Sequence, residues 1–379
     1  MESIIVFSHL RWDFVFQRPQ HLMSRLARHY AIVFVEEPQP GGRDLAWRQI
    51  SPHSRLTVLR PEMNIEKPGF HRVDLAPLRD KLHELRAQYP SPIAWVYTPM
   101  AMPLLDAITP RAIVYDCMDE LSAFKDPPPE LGLREEALLA TADLVFTGGP
   151  SLYEARRHRH PNVHCFPSSV DVSHFRQALN RNIAHPALLE LQGPKLGFFG
   201  VLDERIDLEL IAAIADQRPH WQLILVGPIA KIDADQLPRR VNIHYLGQQS
   251  YQKLPQFLAA WDVCLMPFAM NESTRYISPT KSLEYMAAEL PVVSTPVPDV
   301  QALHGDVIDI AGTTGEFIAC CERALFMSDV ARQVRIRRMR EKLSRTSWDH
   351  TAATMRDLLC GLQSLPVSDP ACAGQPSAR

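Results

Sequence analysis

The chain has 379 residues, too many for one ordinary hydrophobic core, and its length suits two domains. It is 46% hydrophobic and 22% charged, so it has material for real cores, and its formal net charge of −3 removes any general case for nucleic-acid binding. The seven cysteines fall without pairing or ligand spacing (Cys320 and Cys321 adjoin), which favours reduced thiols and a cytoplasmic setting. Met1–Phe7 reads as a short apolar strand rather than a signal peptide. No apolar run approaches the roughly 20 residues of a membrane-spanning helix.

In chain order, short β-branched runs alternate with helical stretches. Strands are predicted at Ser3–Ser8, Ile32–Glu36, Ile93–Thr98, Ala112–Asp116, Leu144–Thr147 and Val163–Pro167, with helical patterns such as Gln20–His29 and Leu133–Ala142 between them. Continuous apolar runs of this length suit strands buried on both faces, as in parallel sheets. The polar segment Asp171–Pro194 carries no clear strand signal and marks the expected boundary. The rhythm restarts at Lys195–Gly200, Gln222–Gly227, Asn242–Gly247, Asp262–Pro267, Pro291–Ser294 and Val307–Ile310. Two such series predict two doubly wound α/β domains, residues 1–175 and 190–345, with ligands beyond the carboxyl ends of the strands. Helical residues run from Ser328 to about Leu362, and the tail 365–379, rich in Pro, Ser, Ala and Gly, is expected to be disordered.

The most informative stretch is Arg275–Thr295. Ser278, Pro279 and Thr280 form a polar turn whose free amides, at a helix start, suit an anion. Lys281 and Glu284 follow three residues apart and share a helix face. A cation, unpaired amides and a carboxylate within one turn suit a nucleotide, with charge for phosphate and carboxylate for ribose hydroxyls.

Several pieces then resemble, in order and spacing, a GT-B glycosyltransferase of the large family-4 type (glycosyltransferase group 1). They are Ser168–Phe175 (SSVDVSHF), Gly197–Asp207 (GFFGVLDERID), Leu225–Pro228, Tyr245–Gly247, Asp262–Pro267 and the stretch Arg275–Thr295. Ser8–Leu22, with Trp12-Asp13 and Gln17-Arg18-Pro19-Gln20-His21-Leu22, is similar to a bacterial subset that builds surface polysaccharides. One departure stands out. The family usually has two glutamates separated by seven residues; the second is Glu284, but the first position holds Tyr276. The Ser278–Lys281 turn is expected to replace that missing contact to the donor sugar.

The resemblance implies two Rossmann-like domains facing a cleft, with a C-terminal helix (about 346–364) crossing back to the first. It implies transfer of a sugar from a UDP- or GDP-linked donor to a saccharide or lipid-linked acceptor, with retention of configuration. Gly200 would let backbone approach the diphosphate, and Gly227 with Pro228, or Gly247 with Gln248, would line a base pocket; either pair also reads as a plain turn. Arg205 reads as a bidentate phosphate ligand or as a solvated partner of Asp203 or Glu204. On the acceptor side, Asp116 or Asp119 could orient a hydroxyl or support sugar-cation charge, while Asp119 reads equally as a helix cap. His9, Arg11 and Arg18 are further candidates there.

No metal or other cofactor is expected. Asp233-Ala-Asp235 lies in a polar loop, and His158 and His160 stand among arginines. The basic run Arg332, Arg335, Arg337, Arg338, Arg340, Lys342 and Arg345 reads as a solvated face, or as a surface for anionic lipid at the inner membrane. The rival readings are a UDP-sugar epimerase of the same architecture and a catalytically degenerate scaffold. A nicotinamide dehydrogenase is weaker, because Ser8-His9-Leu10-Arg11-Trp12 stands where a Gly-x-Gly-x-x-Gly would follow the first strand.

Overall fold

The structure, a computed structural model, describes residues 2–41, 45–70 and 75–362. Nine strands among them form the first sheet: β1 (Ser3–Ser8), β2 (Ala31–Glu36), β3 (Gln39–Pro40), β4 (Ala46–His53), β5 (Leu56–Met63), β6 (Ile93–Val96), β7 (Ala112–Cys117), β8 (Leu144–Thr147) and β9 (Val163–Cys165). Their spatial order is β3-β5-β2-β1-β6-β7-β8-β9, with β4 antiparallel on β5 and every other pairing parallel. The second sheet is parallel throughout: β10 (Lys195–Phe199), β11 (Gln222–Val226), β12 (Ile243–Tyr245), β13 (Val263–Met266), β14 (Val292–Ser294) and β15 (Asp309–Ile310). Its order is β12-β11-β10-β13-β14-β15.

Every residue of β1, β6, β8 and β13 is buried, which is why these strands read as unbroken apolar runs. All the predicted strands are present, shortened at some ends. The sequence reading missed β3, β4 and β5. β4 is exposed along nearly its whole length and carries Pro52, so nothing apolar announces it.

The segment expected as a polar boundary is packed. Val170, Phe175, Ala178 and Leu188 belong to the second domain's core, reached through the helix Val172–Arg176 and short 3₁₀ turns. At the other end, the helix Trp348–Leu362 crosses back to the first domain. It buries Trp348, Ala352, Met355 and Leu359 in the cluster that holds Leu22, Met23 and Leu26. Asp349 pairs with Arg25 and Arg28 on the facing helix. The expected disordered tail, 365–379, lies outside the described residues.

Two acceptor-side candidates need correction. Asp116 is fully buried and takes the Arg18 guanidinium on both oxygens, at 2.9–3.2 Å. Arg18 Nη1 also donates to the Phe166 carbonyl at 2.7 Å. The pair ties the helix Arg18–Leu26 to β7 and to the chain leaving β9. These two side chains satisfy each other inside the first domain, so neither faces a substrate. Desolvating two charges is tolerable only with such geometry.

Four residues of the basic run are ion-paired: Arg335 with Asp309, Arg340 with Glu289, Lys342 with Asp306 and Arg345 with Glu341. Asp233 caps a 3₁₀ turn, and both ring nitrogens of His160 hydrogen-bond to backbone, so these candidates have local structural roles.

Asp116→Ala, which leaves a buried guanidinium unpaired, should cost about 3–5 kcal/mol in denaturant unfolding. The double variant Arg18→Met with Asp116→Leu should recover most of that loss. A loss below about 1 kcal/mol for Asp116→Ala would contradict the structural role.

Candidate functional site

The site begins where β10 and β11 end side by side, Phe199 opposite Val226. Gly200 and Gly227 follow, both with positive φ (+146° and +152°). A Cβ at Gly227 would lie 1.8 Å from the Gly200 carbonyl oxygen, and one at Gly200 would lie 2.3 Å from Lys281 Cε. Only glycine at both positions lets the strand ends close-pack and the Lys281 stem lie across them.

The helix Lys281–Ala287 brings Lys281 and Glu284 to one face of a cavity of about 600 Å³. Gly200, Gly227, Pro228, Gln248, Thr280, Lys281 and Glu284 all line it, so most of the predicted donor residues converge. Glu284 is 7% exposed, and burial pushes its carboxyl up to about 7 against the opposing pull of Lys281. Burial in turn pushes the Lys281 ammonium down, while Glu284 holds it up. Among the described residues neither side chain has a hydrogen-bond or ion-pair partner. A cation and a carboxylate held half-desolvated and unsatisfied in one cavity are poised for a ligand.

The turn before this helix divides. Thr280 faces the cavity, whereas Ser278 and Pro279 line a separate crevice of about 940 Å³ behind it, and the Ser278 carbonyl accepts from Ser168 Oγ at 2.8 Å. Of the turn expected to serve the donor, only Thr280 and the following Lys281 line this cavity. Behind the same turn, Ser151 donates its N–H, at 3.0 Å, and its hydroxyl to the buried Asp299, joining the two domains.

Arg205 follows the alternative left open for it, pairing with both oxygens of Asp203, with Nη2 at 2.6 Å. It still meets the first domain, its guanidinium carbon 5.4 Å from the centre of the Phe124 ring. Lys231, which the sequence reading missed, does the same at 3.9 Å. It sits in the loop after β11 at φ +60°, with Nζ 3.6 Å from Glu204. Nothing in Pro228-Ile229-Ala230-Lys231 marks this lysine in the sequence; the loop's conformation alone brings it across.

Facing these cations are Asp119 and His9. Burial pushes the Asp119 carboxyl up, against Arg205 and Lys231, which hold it down. Burial and then Lys231 lower His9 to about 4, so its ring is neutral at pH 7, and its buried Nδ1 lacks a hydrogen-bond partner. Burial pushes the Glu37 carboxyl up to about 7 against the opposing charge of Arg11, and Arg11 does not line the cavity. Tyr276 packs against the first domain's core.

The other missed element is the first-domain loop Trp12–Gln17, which forms one wall of the cavity. Trp12 N–H donates to Glu36 at 2.8 Å, and Gln20 Nε2 donates to the Trp12 and Val15 carbonyls at 2.8 and 2.9 Å. Across the cleft, Gln248 Nε2 donates to the Phe14 carbonyl. The signal was the Trp-Asp…Gln-Arg-Pro-Gln-His-Leu segment itself, whose polar residues build this loop.

Residues 193–325 match the family described as group 1 glycosyl transferases. A Bacillus subtilis protein named as a teichuronic acid biosynthesis glycosyltransferase, TuaH, is 26% identical over 282 residues, 68% of this chain and 69% of the relative. Among solved structures, the fold is similar to that of sucrose-phosphate synthase from Thermosynechococcus elongatus, with a TM-score of 0.75 at 17% identity over 96% of this chain and 100% of the other. Anabaena Alr3699/HepE, solved in complex with UDP, gives a TM-score of 0.67 at 15% identity over 95% and 100%.

The Glu284 carboxyl should titrate near 7 when followed by carbon-13 NMR, and Lys281→Met should move the midpoint higher, because a nearby cation favours the carboxylate. With a folded-state value above the ordinary 4.5, this group binds its proton more tightly when folded, so its stabilising share is lost as pH rises from about 4.5 through 7. A midpoint near 4.5 would contradict the desolvated site.

Proposed function

We infer that this chain, a GT-B glycosyltransferase of the group 1, family-4 type, moves a sugar from a nucleotide-sugar donor to a hydroxyl of a saccharide or lipid-linked acceptor. The observation that carries this reading is the unsatisfied Lys281–Glu284 pair at the paired glycine ends of β10 and β11. Ligands of doubly wound sheets bind at that edge. The diphosphate lies beside Lys281 and the Gly200 turn, and Glu284 accepts the ribose hydroxyls. Arg205 and Lys231 supply further positive charge near the bond that breaks.

As the glycosidic bond to the diphosphate cleaves, negative charge grows on the leaving oxygen and positive charge on the sugar ring. Each charge-assisted contact to the leaving group is worth roughly 2–4 kcal/mol in such a transition state. Cations held in place serve this role without a metal. Asp119 and His9, outside the cavity lining but close enough to feel the Lys231 charge, are the groups we assign to the acceptor hydroxyl and the sugar cation. Retention by front-face attack is the stereochemistry we propose, with domain closure excluding water.

The TuaH likeness favours a role in surface polysaccharide assembly. No helix among the described residues is long and apolar enough to cross a membrane.

Thermal-shift titration with UDP-, GDP- and TDP-sugars should raise the unfolding temperature for at least one nucleotide, and Lys281→Ala and Glu284→Ala should each abolish the shift. No stabilisation by any of them would remove the donor-site assignment. Conversion of a UDP-sugar without an acceptor would instead favour an epimerase.

A further inference from the structure

The nucleoside end of the cavity is built from both domains, and one aromatic ring there has no role yet. Phe16 belongs to the first-domain loop but stacks on Tyr251 of the second domain, with ring centres 4.5 Å apart and planes at 27°. The opposite face of Tyr251 is covered by His174, at 4.2 Å and 11°. Both faces of Tyr251 are therefore occupied, and no base can stack on it. Phe16 is different. Tyr251 covers one face, His21 meets the ring edge-on at 4.7 Å and 88°, and 36% of the residue stays exposed where it lines the cavity.

We propose that the free face of Phe16 is the stacking platform for the nucleoside base of the donor, so that the first domain completes the nucleotide site. The inference rests on the nucleotide-sugar reading above. The order of groups along the cavity supports it. With the diphosphate at Lys281 and the ribose at Glu284, the base continues toward Tyr251, whose buried hydroxyl already feels the Glu284 charge. Two other aromatic residues line this wall. Trp12 packs edge-on against Phe34 at 5.2 Å, and among the described residues Phe14 has no ring partner to fix it. Phe16 alone is held on one side and open on the other. Its orientation is set before ligand arrives, which lowers the ordering cost of binding. Every base presents a π-face, so this contact tolerates different bases; polar groups such as Gln248 are left to discriminate among them.

Isothermal titration of UDP, GDP and pyrophosphate into wild type, Phe16→Ala and Phe16→Tyr tests the assignment. Phe16→Ala should weaken UDP and GDP binding by about tenfold, in the range of one lost base–aromatic stack. Phe16→Tyr should bind both nucleotides like wild type, and pyrophosphate should bind all three proteins equally. Unchanged nucleotide affinity in Phe16→Ala overturns the platform, as does an equal loss for pyrophosphate, which would mark a general distortion. Failure of wild type to bind either nucleotide would instead overturn the functional reading itself, and this inference with it.

Discussion

Two glycine carbonyl turns and one lysine stem occupy a space in which no additional carbon fits. The Gly200 and Gly227 backbones are in contact, and the end of the Lys281 stem rests on Gly200, so the ammonium is delivered to the carboxyl edge of the second sheet. Glu284, one helical turn on, is carried to the same cavity by the same short helix. Burial works against both charges, each opposes that shift in the other, and among the described residues neither has a hydrogen-bond partner. An arrangement that destabilises the unliganded state in this way has a physical rationale only if a ligand supplies the missing partners.

The second domain alone does not close this cavity. The loop Trp12–Gln17 crosses to it, and the rings of Trp348, His21, Phe16, Tyr251 and His174 form a nearly continuous aromatic series where the domains meet. Trp348 stacks on His21 at 4.7 Å and 10°, and His21 meets Phe16 and Tyr251 edge-on. Burial, followed by the nearby Arg25 charge, lowers His21 to about 3, so it is neutral at physiological pH and its ring packs as an aromatic body. The C-terminal helix, the first helix, the linker and the second domain thus share one contact region. Any relative movement of the domains must slide these rings, and the cavity wall moves with them.

The sequence disclosed most of the sheet architecture because parallel strands buried on both faces leave unbroken apolar runs. It did not disclose β4, whose residues are exposed, or the packing of 171–188 into the second core, where helical turns are too short for a periodic signal. At the site, Lys281, Glu284 and the two glycines were legible because spacing on one helix and at strand ends fixes their direction. Asp116 and Arg18 misled for a related reason. Their types and positions suit chemistry, but the partner lies 98 residues away in the chain, and only the fold reveals that they neutralise each other. Lys231 and Phe16 were invisible because their placement depends on loop backbone, a left-handed residue in one case and a glutamine-braced turn in the other.

A crystal structure of the protein with a bound nucleoside diphosphate tests the central claim most directly. The account predicts the pyrophosphate within salt-bridge distance of Lys281 Nζ, beside the Gly200 turn, and the ribose hydroxyls donating to Glu284. A nucleotide bound elsewhere, with Lys281 and Glu284 still unpartnered, would contradict it.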